Sequence, residues 1–175
     1  MTGILKTRIS KFPRLAAVLS GGLLLGLVST ADAALIKSYD FTTGLSDTLG
    51  NGVDLTGIGT VSGGRYSFTN NQGLRLTSAL PSTTDYAIEM KLRVDDSVAG
   101  FNKLVDFQDL LSDVGLYVLG GTLDFFTAGP SAGVITVATE FTVGLERAGG
   151  TITGFLNGVS VFSSLDGGQA VSGSN

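Results

Sequence analysis

The chain contains no cysteine, no histidine and no tryptophan, and only three prolines among its 175 residues. Without cysteine there is no disulfide, no thiol nucleophile and no anchor for a lipid-modified cysteine. Without histidine or cysteine the zinc sites that they build are excluded, and the commonest general base is missing. Without tryptophan the broadest ring for stacking on a sugar is missing too. Positive charge is also scarce. Four of the eleven basic residues and one of the fifteen acidic ones fall within the first 33 positions, which leaves seven against fourteen and a net charge of −7 for residues 34–175. No basic stripe remains to neutralise phosphates, so nucleic acid is not an expected partner.

What is present begins with an address. Lys6, Arg8, Lys11 and Arg14 form a basic lead, Leu15 to Val28 an apolar run of 14 residues, and Ala31-Asp32-Ala33 a small-x-small site ahead of Ala34. A charged lead, a short apolar core and an A-x-A site read as a helical signal peptide over residues 1–33, cut after Ala33. The run is too short to span a bilayer comfortably, so residues 34–175 are expected to be exported without a membrane span, to the periplasm, the cell surface or beyond.

After Ala34 the chain shows short alternating runs punctuated by Gly, Asn, Asp and Ser, which predicts an all-β domain. Tyr86 to Val94 is the clearest: Tyr86, Ile88, Met90, Leu92 and Val94 face one way, Ala87, Glu89, Lys91 and Arg93 the other. Further strands are expected at Leu35–Phe41, Arg65–Thr69, Leu74–Leu76, Lys103–Phe107, Gly115–Leu119, Thr122–Phe126, Val134–Val137, Phe141–Arg147 and Thr151–Leu156. Asp109-Leu110-Leu111 reads as a helical turn or a loop. Asn157-Gly158 between alternating runs predicts a type I′ hairpin, because both positions of that turn need positive φ.

The order of these elements resembles the laminin-G-like, concanavalin-A-like lectin/glucanase superfamily of bacterial secreted proteins. The residues that carry the resemblance are Tyr39-Asp40-Phe41, the loop from Ser46 to Asp54, the long strand Tyr86–Val94, and Gly154-Phe155-Leu156-Asn157-Gly158-Val159 in place of an L-Y-V-N-G hairpin. It implies a two-sheet antiparallel jelly-roll sandwich over residues 34–175, with a concave binding face. The closing strands usual after the hairpin have no counterpart before Asn175, nor does the Pro-Glu-Pro tail of PEP-CTERM proteins, so the jelly roll is expected to be incomplete.

Catalysis finds little support. Glucanases of this fold place two Glu around an Asp on one strand, whereas Glu89, Glu140 and Glu146 stand apart. The expectation is a non-enzymatic carbohydrate-binding or adhesion domain that meets a glycan or an extracellular-matrix component. The alternatives are a structural extracellular protein with no discrete ligand, and a glycoside-hydrolase fold stripped of its carboxylates. Tyr117 and Phe126 are the candidate sugar platforms: Phe125 and Phe126 are adjacent, so one of them must face outward. No cofactor is required. Asp47, Asn51 and Asp54 in the early loop are candidate ligands for an optional calcium ion, set against the simpler role of capping their own backbone.

Overall fold

The computed structural model describes residues 2–11, 34–70, 72–77, 80, 82–126 and 132–168. Every element among them is a strand. In chain order they are β1 (Thr2–Lys11), β2 (Ala34–Lys37), β3 (Thr56–Gly57), β4 (Thr60–Ser62), β5 (Arg65–Ser67), β6 (Leu74–Arg75), β7 (Tyr86–Arg93), β8 (Phe101–Asp106), β9 (Gly115–Leu119), β10 (Thr122–Phe126), β11 (Glu140–Ala148), β12 (Thr151–Leu156) and β13 (Val159–Leu165). No helix among the described residues is long and apolar enough to cross a membrane.

Eight strands form one sheet in the order β13-β12-β11-β7-β1-β5-β4, with β2 also paired to β1. The strands β10-β9-β8 form a second sheet, and β3-β6 a small ribbon. All pairings are antiparallel. The alternation expected for Tyr86–Val94 is the observed burial: Tyr86, Met90 and Leu92 point inward and Glu89 outward. β11 follows the same rule over nine residues. The inner residues of β7, β11 and β12 share one apolar cluster with Leu116, Val118, Leu123 and Phe125 of the second sheet. A smaller cluster gathers Tyr39, Phe41, Leu55 and Tyr66.

Two expectations need correction. Thr2–Lys11, read as the lead of a helical signal, forms a strand. It lies between β7 and β5 and pairs antiparallel with both, through Gly3 opposite Leu92 on one side and Tyr66 on the other. Each flanking ladder offers partners to alternate residues of an extended segment, so the two together can satisfy its backbone N–H and C=O groups where both lie alongside. The apolar run Leu15–Val28 and the cleavage residues Ala31 and Ala33 lie outside the described residues. Val134–Val137 forms no strand; it is an irregular segment pinned by the Ile135 N–H, which donates to the Gly121 carbonyl at 2.7 Å and lets Ile135 fill the core. Asp109-Leu110-Leu111, read as a helical turn or a loop, is the latter: a tight turn with positive φ at Asp109 and Leu110.

Asn157 and Gly158 join β12 to β13 with φ of 51° and 79°. Asn157 also docks the turn on β11: its N–H donates to the Thr142 carbonyl at 2.8 Å, and its side-chain oxygen accepts from the Thr142 N–H at 2.9 Å. A Cβ at Gly158 would meet nothing within 4 Å, so a substitution there acts through backbone strain alone. Gly158→Val is expected to cost about 1–2 kcal/mol, because a β-branched residue is held at positive φ. An unchanged melting temperature would show that the turn relaxes to another type.

Candidate functional site

The outer face of the second sheet carries the site. Leu116, Val118, Leu123 and Phe125 are fully buried in the core, so period two turns Tyr117, Asp124 and Phe126 to the opposite face. On β8, Phe101 and Lys103 join them; Lys103 lies opposite Tyr117, and Tyr117 opposite Asp124. Phe126 is therefore the outward member of the Phe125-Phe126 pair.

Three rings meet on this face. Phe101 lies 5.9 Å from Tyr117 and 6.1 Å from Phe126 between centroids, and Tyr117 lies 6.4 Å from Phe126, each pair edge to face. These are the arrangements that aromatic quadrupoles favour. Phe101 is 66% exposed and Phe126 38%, whereas Tyr117 is only 5% exposed. Tyr117, expected as an exposed platform, is thus the floor of the cluster. The rings and Asp113 line an open cleft of about 370 Å³.

Polar contacts hold the floor in place. The Tyr117 hydroxyl donates to the Asp113 carbonyl at 2.7 Å. The Lys103 ammonium sits 5.3 Å from the centre of the Tyr117 ring, donates to the Ser112 carbonyl at 2.8 Å and pairs with Asp106 at 2.6 Å. Burial works against the charge on Lys103, but the bonds to Asp106 and Tyr117 prevail and raise its pKa. Burial likewise works against an ionised Asp106; the Leu110 N–H, the Lys103 ammonium and the Gln108 N–H outweigh it and hold the carboxyl below its ordinary value. Asp124 is different. Among the described residues no hydrogen bond or ion pair reaches its side chain, and burial alone raises its pKa.

The early loop is organised otherwise. The carboxyl of Asp47 accepts from the backbone N–H groups of Ser38 at 2.8 Å, Asn51 at 2.9 Å and Leu49 at 3.2 Å. Burial would raise its pKa, but these three donors and Lys37 bring it below the usual value. Asn51 turns its amide to the Ile36 carbonyl, and Asp54 accepts from the Ser46 hydroxyl. Nearby, the Tyr39 hydroxyl donates to the Val53 carbonyl at 2.7 Å, and burial, with Asp47 and Asp54, pushes its pKa up to about 12. The three candidate calcium ligands thus share a loop, but Asp47 spends its oxygens on the backbone. No group of three His, Cys, Asp or Glu fit to hold a metal ion occurs among the described residues.

Phe101 and Asp113 escaped the sequence analysis. Phe101 follows Gly100 at the start of β8, and its spacing from Lys103 already puts both on one face. Asp113 has no such signal, since only the tertiary fold brings the β8–β9 loop to the cleft that Phe126 of β10 also lines. The string Gly129-Pro130-Ser131-Ala132-Gly133 has the spacing of a hydrolase nucleophile elbow, but a chain with no histidine lacks the usual base for it.

No protein family, no curated protein and no solved structure matches this chain.

Proposed function

We propose that the chain is an exported, non-catalytic carbohydrate-binding or adhesion domain of laminin-G-like, jelly-roll architecture. Its ligand is a glycan at the cell surface or in extracellular matrix. The observation that carries this reading is the pair of exposed rings, Phe101 and Phe126, standing over the buried Tyr117 at an open cleft. Sugar rings present an apolar face to such platforms and hydroxyls to the polar rim, and Asp113 supplies the rim here. The backbone-saturated carboxyl of Asp47 favours a capping role for the early loop, so calcium has no part in the reading. The three glutamates of residues 34–175 lie away from the cleft's lining, which favours binding over hydrolysis.

A glycan array probed with the protein tests the reading. Binding to a defined class of sugars is expected, and no binding to any glycan would leave a purely structural role. Phe101→Ala combined with Phe126→Ala should weaken the association at least about tenfold, since each ring contributes roughly 0.5–1.5 kcal/mol beyond its buried area. The melting temperature should change little, because both rings are exposed.

A further inference from the structure

Asn-Gly occurs twice in the chain, at Asn51-Gly52 and at Asn157-Gly158. The pair is chemically reactive. With no side chain on the glycine, its amide nitrogen can reach the carboxamide carbon of the asparagine, close a five-membered imide and expel ammonia. Closure requires the asparagine Cβ and the glycine nitrogen to come close to eclipsed about the Cα–C bond. Both pairs are exposed, but the fold treats them differently.

Asn157 is held away from that geometry. Its φ of 51° puts it in the left-handed region, where ψ is about +47° and the two atoms stand far from eclipsed. Its N–H and its side-chain oxygen are both bonded to Thr142 of β11, at 2.8 and 2.9 Å. A turn fixed in this way reacts only after it opens.

Asn51 lies in an irregular stretch and has no positive φ. Its side chain makes one bond, from Nδ2 to the Ile36 carbonyl at 3.2 Å, through the nitrogen that would leave. Its main-chain N–H is bonded to Asp47 at 2.9 Å, which leaves rotation about Cα–C to the glycine that follows. Lys37, the last residue of β2 and only 8% exposed, brings Nζ to 3.5 Å from the Asn51 carbonyl oxygen. A Cβ at Gly52 would lie 3.0 Å from the same Nζ. The ammonium therefore sits over the Asn51–Gly52 peptide. A fixed cation there stabilises the negative charge that this peptide carries once the Gly52 nitrogen gives up its proton.

We propose that Asn51 is a site of spontaneous deamidation, promoted by Lys37, and that the fold confines the reaction to this one of the two Asn-Gly pairs. The Gly52 nitrogen loses its proton to solvent and bonds to Cγ of Asn51. The Cγ–Nδ2 bond breaks, Nδ2 takes up a proton from solvent, and ammonia leaves. Water then opens the imide at either carbonyl, which yields aspartate or isoaspartate. Both products add a negative charge to a loop that already carries Asp47 and Asp54. Isoaspartate also inserts a methylene into the main chain between the N–H bonded to Asp47 and the Val53 carbonyl that accepts from Tyr39. The early loop thus changes covalently with the age of the protein.

The test incubates the full chain in mildly alkaline buffer and follows both Asn-Gly peptides by mass spectrometry, with isoaspartyl methyltransferase labelling to detect isoaspartate. Asn51 should gain one mass unit at least about tenfold faster than Asn157, whose two bonds must be given up first. In concentrated urea the two rates should converge, because the dipeptides are identical. Lys37→Met should slow Asn51 several-fold, and Lys37→Arg, which keeps the charge, should restore the rate. The rate at Asn157 reports in the same sample whether the fold persists; Lys37→Gln replaces Lys37→Met where that rate rises. Comparable rates in the folded chain, or a preference that survives urea, would overturn the proposal. So would an Asn51 rate indifferent to Lys37 while Asn157 stays slow. A lasting loss of the mass of ammonia that disappears with Lys37→Met would show that the lysine amine, not the Gly52 nitrogen, takes the carbonyl, and would overturn it as well.

Discussion

Arg147→Met is expected to destabilise the protein by about 3–5 kcal/mol, the cost of stranding one member of a buried ion pair. The Arg147 guanidinium pairs with Asp166 at 2.6 Å, with side chains 9% and 0% exposed. It also donates to the Thr84 carbonyl. One side chain on β11 thereby ties down the entry to β7 and the chain just after β13. The Asp166 N–H donates to the Gly150 carbonyl at 2.8 Å, and the Gly149 N–H to Asp85 at 2.9 Å, so the β11–β12 turn joins the same assembly. Removing the arginine takes away the cation that neutralises this buried carboxylate. The loss would consume a large part of the 5–15 kcal/mol that holds an ordinary domain. Urea denaturation measures it. Arg147→Met with Asp166→Leu should recover much of the loss, because the stranded charge is then gone. A single-variant loss under about 1 kcal/mol would mean that water reaches Asp166 and solvates it.

A chain beginning at Ala34 is expected to melt earlier and to self-associate. In the full chain β1 fills the slot between β7 and β5. Without it, β7 loses its partners for Ala87, Ile88, Glu89, Lys91, Leu92 and Arg93, and β5 loses those for Tyr66 and Ser67. Both strands run antiparallel to β1 and therefore parallel to each other, so they can close the gap only by a parallel pairing that no short connection has prepared. The exposed ladder is a template for a strand from a neighbouring molecule. Size-exclusion chromatography with light scattering, alongside thermal melts of both chains, decides the matter. A monomeric 34–175 chain that melts like the full one would show that the sheet closes without β1.

Much of the strand content was legible because period two is a local property. Tyr86–Arg93 and Glu140–Ala148 alternate in sequence as they do in burial, and Asn157-Gly158 carries its turn in its own backbone preferences. Val134–Val137 misled for the same reason. Four residues of high β-propensity look like a strand, but among the described residues no strand pairs with them, and the Ile135 bond to Gly121 with the burial of Ile135 holds them instead. Thr2–Lys11 misled in the opposite sense: its basic residues speak for an export lead, while its place in the sheet is set by two distant strands. At the cleft, Tyr117 and Phe126 could be singled out by parity on β9 and β10. Their company could not, since Phe101 and Asp113 arrive from β8 and from the loop after it.

By itself the sequence determined the class of secondary structure, the hairpin turns and the acidic charge, and it excluded thiol, imidazole and zinc-finger chemistry by the absence of two residue types. These follow from backbone preference, side-chain alternation and composition, which act over a few residues. Only the tertiary structure decided which strands are neighbours, that Tyr117 is covered while Phe101 and Phe126 are not, and that Arg147 finds Asp166 rather than water. Those outcomes depend on burial, and burial is a property of the packed sheets that no short window of sequence contains.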